Sequence, residues 1–399
     1  MGVINGARRP TILIADDEPV NLHLLTSLFK GEYHVLTAGQ GQECLDIAAA
    51  AIPDIILLDV MMTDMDGFEV CSRLKSAENT KNIPIIFVTA LGDEDSETKG
   101  LQIGAVDYIT KPISVSIVRA RVKNQIIIKL QQEVIAKHRA KILEDLKAAG
   151  DIQQSLLPSR LPEDARAEFA WKFMPCEALG GDILNVIPLG KDMVGMYMAD
   201  VSGHGPPSAM IAFLIYQMVT PHFGSVCDAS AGGNAVLQPE EVLNILDREF
   251  PLLRFGRHFT IIYVVMDLST GILTYSNAGH CAPILLRKDG SLERLEECGT
   301  VIGVGAFPFG QTQVEMRQGD RLLLFSDGVF EADGPQGELY GEPRLVEAVG
   351  ELRSKPLPDM VDGLYASVMN FAAGEPLRDD LSMLAFAYHG PWREGPSQG

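Results

Sequence analysis

The sequence predicts a multidomain protein: an α/β doubly wound domain with a parallel sheet, then a long helix, then an α+β domain built on antiparallel strands. Three observations carry this. At 399 residues the chain is too long for a single hydrophobic core. Between residues 11 and 112, short β-rich runs alternate with amphipathic helical stretches, the pattern of βαβ units covered on both faces. After about residue 165 the pattern changes to long strands joined by tight turns, as in "RHFTIIYVVMDLSTGILTYSNAGH".

In chain order, "TILIA", "HVLTA", "DIILLDV", "IPIIFVTA" and "AVDYIT" read as strands. Helical periodicity fills the gaps, as in "VNLHLLTSLFK" and "GFEVCSRLKSA". From about 113 to 157 neither Gly nor Pro intervenes until Gly150. Apolar residues there recur mostly every fourth position: Val118, Val122, Ile126, Leu130, Val134, then Ile142, Leu146, Ile152 and Leu156, with His138 interrupting. This predicts a long amphipathic helix whose steps of four are not a sustained heptad. "LLPSRLPEDA" ends it. Beyond, "GPPSAMIAFLIYQMV", "PEEVLNILDREF" and "PDMVDGLYASVMNFA" read as helices, each with Pro near its start. "CDASAGGNAVLQ" reads as a mobile surface loop and "GPWREGPSQG" as a frayed tail. The expected domain bounds are 10–122, a helical linker over 123–158, 159–390, and a disordered tail over 391–399.

Bulk properties exclude several classes. A formal net charge of -20 argues against nucleic acid and against anionic membranes as partners. No apolar run reaches spanning length, and the first ten residues lack the apolar region of a signal peptide, so a cytoplasmic protein is expected. The six cysteines form no CxxC pair, which indicates neither a disulfide framework nor a zinc site.

The chemistry lies in acids at strand ends. Asp16, Asp17 and Glu18 follow "TILIA" directly, and "IILLDV", "MYMADVSGHG" and "LLLFSDGVFEA" repeat the idiom. Taken alone, adjacent acids there read as an exposed turn opening a helix; the recurrence points instead to cation binding. In a doubly wound sheet the ends of the strands converge on one cleft. Asp16, Asp17, Asp59, Thr89 and Lys111 all fall there. Carboxylates so placed form an oxygen site for Mg²⁺, a carboxylate beside it can attack phosphorus to become an acyl phosphate, and Thr and Lys can bind the phosphoryl oxygens. Residues 10–122 thus resemble the receiver domain of bacterial response regulators, which has a flavodoxin-like fold. The resemblance implies that Asp59 is the phosphoacceptor, that Asp16, Asp17 and the Met61 carbonyl hold Mg²⁺, that Thr89 and Tyr108 form the switch pair, and that Lys111 binds the phosphate. It implies a sensor histidine kinase or phosphotransfer protein as partner. Thr63 stands where receivers usually carry Pro.

In the second half, "LGGDILNV", "YMADVSGHG", "LFSDGVFEA" and "RDDLSML" place Asp182, Asp200, Asp327 and Asp380 beside glycines or another acid at strand boundaries. Such separated carboxylates can hold two divalent cations roughly 3.5–4 Å apart that activate a water for attack on phosphorus. Neither GxSxG nor HExxH is present. From the residues alone, a metal-dependent phosphoryl hydrolase and an acid-rich binding site both remain open. These segments, together with "DIQQSLLPSRLP", "NAGHCAPILLR", "IGV" and "ELYGE", run in the order found in the PPM family. Residues 150–389 resemble its type 2C metal-dependent Ser/Thr protein phosphatases, in the bacterial sporulation and stress-response branch.

That resemblance implies a β-sandwich flanked by helices and two Mn²⁺ or Mg²⁺ ions. Asp200 would bridge the metals, the Val201 carbonyl would add an oxygen, Asp327 and Asp380 would complete one metal site, and Asp182 would act through a water. Asn185 replaces an Asp common in the branch. His204 and His280 read as a loop bystander and a turn-fixing residue, and Asp379 and Glu331 as exposed acids. The whole then reads as a two-component response regulator in which phosphorylation at Asp59 controls a protein Ser/Thr phosphatase. The substrate implied is a phosphorylated anti-sigma-factor antagonist, and a homodimer through the linker helix is expected. The alternative is a pseudo-phosphatase, a phosphorylation-controlled binding module for a sigma or anti-sigma regulator.

Overall fold

A computed structural model describes residues 9–90, 94–220, 227–228, 235–305 and 307–391. Of the expected mobile loop "CDASAGGNAVLQ", residues 229–234 lie outside these, while Cys227 and Asp228 pair as a short strand with Ala235 and Val236; the expected tail lies outside them beyond residue 391. The chain divides into two units, Met1–Lys141 and Ile142–Gly399.

In the first unit the elements run β1 (Thr11–Ala15), α1 (Pro19–Phe29), β2 (His34–Ala38), α2 (Gly41–Ala51), β3 (Ile55–Asp59), α3 (Gly67–Ser76), β4 (Ile85–Thr89), α4 (Glu94–Ile103) and β5 (Asp107–Thr110), followed by the 40-residue α5 (Val115–Gln154), whose residues from Ile142 on belong to the second unit. The strands pair in parallel in the order β2-β1-β3-β4-β5, which places the topological switch between β1 and β3. Strand alternation sorts the core into two layers. Leu13, Ile56, Leu58 and Phe87 pack with Cys44 and Ala48 of α2 and Val70 and Leu74 of α3. Ile12, Ile14, Leu57 and Val88 pack with Leu25 and Phe29 of α1 and with Val118, Val122 and Ile126 of α5. Each fully buried aliphatic side chain contributes about 1.5–3 kcal/mol.

The four-step stripe of α5 therefore belongs to this core for only its first turns. Leu130 is partly buried against the core, but Val134 and Ile142 are 51% and 58% exposed. A second row, Ile128, Ile135 and Ile142, is also exposed and recurs every seven residues, the spacing of a coiled-coil seam. The steps of four had hidden this row.

In the second unit the elements run β6 (Ala167–Met174), β7 (Ile183–Pro188), β8 (Met193–Val201), α6 (Pro206–Val219), β9 (Cys227–Asp228), β10 (Ala235–Val236), α7 (Pro239–Glu249), α8 (Leu252–Phe255), β11 (Phe259–Asp267), β12 (Ile272–Ala278), β13 (Ile284–Leu286), β14 (Leu292–Arg294), β15 (Thr312–Glu315), β16 (Arg321–Phe325), α9 (Gly341–Leu352), α10 (Leu357–Ala372) and β17 (Leu381–Tyr388). Two five-stranded antiparallel sheets result, β15-β12-β11-β8-β7 and β14-β13-β16-β17-β6. Alternation shows how they stack. Leu322, Leu324, Leu384 and Phe386 join the core shared with β8, β11, α6 and α7. Their neighbours Leu323, Phe325, Met383 and Ala385 pack on α9 and α10. The unit is a β-sandwich with helices on both outer faces. No described helix is long and apolar enough to cross a membrane.

Candidate functional site

The first cleft lies at the carboxyl ends of β1, β3 and β5. Asp16 and Asp59 are 1% and 4% exposed, and ligand oxygens of Asp16, Asp17 and Asp59 lie within 4.8 Å of one another. Lys111 Nζ donates to Asp16 Oδ2 at 3.0 Å and to Asp59 Oδ2 at 2.9 Å. Burial raises the Asp59 carboxyl, and the Lys111 hydrogen bond counters it. Burial lowers the Lys111 ammonium, but the bonds to Asp59 and Asp16 prevail and leave it raised. Three carboxylates against one ammonium leave two negative charges in a largely buried cleft, which suits a hard divalent cation such as Mg²⁺.

Local geometry holds this arrangement. The Lys111 N–H donates to the Thr89 carbonyl at 2.7 Å, and Asn21 Nδ2 donates to Asp16 Oδ1 at 3.0 Å. A β-carbon on Gly67 would collide with the Asp59 carbonyl, so the acceptor loop and α3 can close this tightly only over glycine. Asp64 accepts the N–H groups of Gly41 and Gln42 at the start of α2, and Asp66 caps α3 by accepting the Glu69 N–H. Those two aspartates pin the loop where Thr63 replaces Pro. Met61 donates its N–H to Asp59 Oδ1 at a long 3.5 Å, and its residue is 62% exposed. Thr89 is buried, and Tyr108 is buried as well. Arg121 of α5 bonds the Asp107 carboxylate and the Tyr108 carbonyl.

The second cluster joins loop and strand ends of both sheets. Asp182 precedes β7, Asp200 nears the end of β8, Asp327 follows β16, and Asp379 and Asp380 precede β17. Burial raises the Asp182 carboxyl well above its ordinary value, with Asp200 and Asp380 adding to it. Ser382 Oγ donates to Asp182 Oδ2 at 2.6 Å. Asp200 is pushed up to about 7, first by burial and then by Asp327, Asp379, Asp380 and Glu331. Asp327 is raised by burial and by Glu331, and Asp379 by burial, with Asp327 and Asp380 adding to it. Carboxylates that raise one another in this way are a site lacking positive charge, and hard divalent cations match an all-oxygen donor set. Each raised carboxyl favours the fold when protonated, so this stabilisation is complete below about pH 4 and for Asp200 is lost as pH rises through about 7.

Asp380 stands apart from the others. Its Oδ1 accepts the Cys176 N–H at 2.9 Å, and its Oδ2 accepts those of Gly181 and Asp182 at 2.5 and 3.2 Å. Both oxygens are thus committed to backbone amides, and Asp380 is 1% exposed. Gly180 has no room for a β-carbon because the Asp380 carboxylate occupies that space, and a β-carbon on Gly181 would sit 2.7 Å from the Val201 carbonyl oxygen. The expectation that Asp379 is merely an exposed acid does not hold: it is half-buried and faces Asp327 and Asp200 electrostatically. A ligand-capable group of Asp379 also lies within 4.8 Å of those of Cys176 and Asp380.

Residues 190–389, half of the chain, match the family described as Stage II sporulation protein E (SpoIIE). The chain belongs to the SpoIIE family. Residues 12–123 match the response regulator receiver domain, so a receiver domain precedes a SpoIIE-type PP2C phosphatase domain. The Synechocystis protein IcfG is 27% identical over 284 residues, which is 66% of this chain and 44% of IcfG. The Caulobacter vibrioides response regulator PleD is 46% identical over 114 residues, 28% of this chain and 25% of PleD. The chain spans a quarter to a half of these curated relatives' length. The SiaA-PP2C domain of Pseudomonas aeruginosa shares the fold, with a TM-score of 0.54 at 23% identity over 63% of this chain and 99% of that one.

Within this SpoIIE-family domain, Asn185 accepts the N–H of Val186 through its own Oδ1 at 2.8 Å, a use internal to β7. His280 closes the "NAGH" turn. It donates its N–H to Asn277 Oδ1, receives Asn277 Nδ2 on its carbonyl, and pairs Nδ1 with Thr260 Oγ1 at 2.7 Å. Complete burial lowers its imidazole to about 3, so it stays neutral. His204 lies mostly exposed with Nδ1 3.1 Å from Glu177 Oε2. Sequence reasoning did not single out Cys176, Ser382 or Gln153, each of which touches this cluster or the loop that holds it.

Proposed function

We propose that this chain is a metal-dependent protein serine/threonine phosphatase whose rate is set by phosphorylation of Asp59. The observation that carries the reading is the second acid cluster, where burial and the neighbouring acids raise the carboxyls of Asp182, Asp200, Asp327 and Asp379 together, with His204 countering this at Asp379. Divalent ions held there would polarise a phosphoryl group and acidify an attacking water. Asp200, Asp327, Asp379 and the Val201 carbonyl would hold the ions, with Asp182 acting through a water. Asp380 then orders the Gly181–Asp182 backbone instead of serving as a ligand. The phosphoryl donor to Asp59 would be a sensor histidine kinase or phosphotransfer protein, with Asp16, Asp17 and the Met61 carbonyl holding Mg²⁺, Lys111 and Thr89 meeting the phosphate, and Tyr108 completing the switch pair.

The substrate we propose is a phosphorylated anti-sigma-factor antagonist. The test is hydrolysis by the full chain of a phosphoserine peptide and of such an antagonist. Release of phosphate that requires Mn²⁺ and stops with EDTA is expected. Binding of the antagonist without any release would leave only a binding module.

The exposed row Ile128, Ile135 and Ile142 on α5 supports a parallel pairing with a second copy. Sedimentation of the full chain should give a dimer that Ile135→Lys dissociates. A monomer at all concentrations up to about 100 µM, which bounds any pairing to weaker than about 5.5 kcal/mol, would remove the dimer.

A further inference from the structure

The last turn of α5 ends against the loop that carries the acid cluster. Gly150 is buried, and a β-carbon there would collide with the carbonyl oxygen of Ala178, so helix and loop meet backbone to backbone. One turn on, Gln153 is 7% exposed. Its Nε2 donates to the Gly180 carbonyl at 2.8 Å, and its Oε1 accepts the Gly180 N–H at 3.1 Å. The carboxamide therefore satisfies both peptide groups of one residue, as a neighbouring strand would. The next two N–H groups along the loop, of Gly181 and Asp182, are those that hold Asp380 Oδ2. Asp182 in turn carries its carboxylate into the cluster beside Asp200.

Packing alone does not account for this side chain. An apolar residue of equal volume would fill the position but strand a buried donor and acceptor on Gly180. The polar contacts of Gln153 run to the loop that positions the ligands.

We propose that Gln153 is a positioning residue for the metal-binding loop. Its carboxamide fixes the peptide planes of Gly180 so that Gly181 and Asp182 stay in register on Asp380, and so that Asp182 faces the cluster. A shift or rotation of α5 acts first on this pair of hydrogen bonds, and through them on metal affinity. The inference deepens the phosphatase reading and rests on it for any effect on rate, while the effect on metal binding stands on the acid cluster itself.

The test uses the full chain carrying Asp16→Asn and Asp17→Asn, which silences the receiver cleft so that calorimetric titration with Mn²⁺ reads the second unit. Against that parent, Gln153→Met keeps the volume and loses both hydrogen bonds. It should bind Mn²⁺ about 10–100-fold more weakly, the usual loss when a partner of a metal ligand is removed. Leu157→Ala, at a residue buried in the apolar core one turn later, controls for lost packing: it should lower the melting temperature of the metal-free protein at least as much and leave Mn²⁺ affinity unchanged. In a phosphoserine-peptide assay, the deficit of Gln153→Met should shrink as Mn²⁺ is raised to saturation. Unchanged affinity in Gln153→Met, an equal loss in Leu157→Ala, or a parent that binds no Mn²⁺ would each overturn the proposal. A parent that binds Mn²⁺, shows the Gln153 effect and hydrolyses nothing would overturn the phosphatase reading and leave this one standing.

Discussion

Asp200→Asn should lower phosphatase activity by more than about a hundredfold, beyond the loss typical of removing a ligand's partner, while making the metal-free protein more stable at alkaline pH. Asp200 is the residue on which the most neighbouring acids act: Asp327, Asp379, Asp380 and Glu331 all raise it after burial does. A carboxyl held near 7 where 3.8 is ordinary corresponds to about 4 kcal/mol lost from the fold once it ionises. An amide of the same shape removes that charge. The metal-free melting temperature should therefore rise by roughly 8–16 °C at pH 8 for a domain of this size. The gain should shrink as pH falls below about 7 and vanish only below about pH 4, where the carboxyl is protonated in the folded and the unfolded chain alike. Mn²⁺ should stabilise the wild type strongly at pH 8 and the variant less. Full activity in the variant, or an equal melting shift at both pH values, would contradict the role given to Asp200.

The second large effect is expected at Asp59. Asp59→Asn should accept label from a small phosphodonor such as acetyl phosphate at least about a hundredfold less than wild type, because the amide lacks the nucleophilic carboxylate that forms the acyl phosphate. The fold should survive. Lys111 keeps its 3.0 Å bond to Asp16, Gly67 still closes over the backbone of residue 59, and one charge is removed from a crowded cleft. Circular dichroism and melting of the variant check this. Labelling as ready as that of wild type would move the acceptor elsewhere.

Much of this was legible in the residues, for identifiable reasons. Buried parallel strands are nearly continuous apolar runs, so "IILLD" announced both β3 and the acid at its end. The antiparallel character of the second unit was legible because β11 and β12 are long and joined by a tight turn; the sandwich itself came only from the resemblance to the PPM family. What stayed hidden depends on side-chain direction. Asp379 and Asp380 are neighbours, and only the period of two separates their roles: Asp380 and Ser382 both reach the Gly181–Asp182 segment, while Asp379 turns to Asp327 and Asp200. On α5, apolar periodicity selected Ile152, which is 65% exposed. It passed over Gln153, which is buried because its amide bonds backbone, a signal that hydropathy does not carry. The early residues of the stripe met their own sheet, and that obscured the seven-residue row further along.

The most direct measurement is the rate of phosphoserine-peptide hydrolysis by the full chain, in saturating Mn²⁺, with and without beryllofluoride and Mg²⁺ to mimic the acyl phosphate at Asp59. Coupling between two sites typically amounts to about 1–3 kcal/mol, or 5–150-fold, so kcat/KM should change by at least about fivefold on adding the mimic, and Asp59→Asn should abolish the change. An active enzyme whose rate is the same with and without beryllofluoride would contradict control of the phosphatase by its receiver.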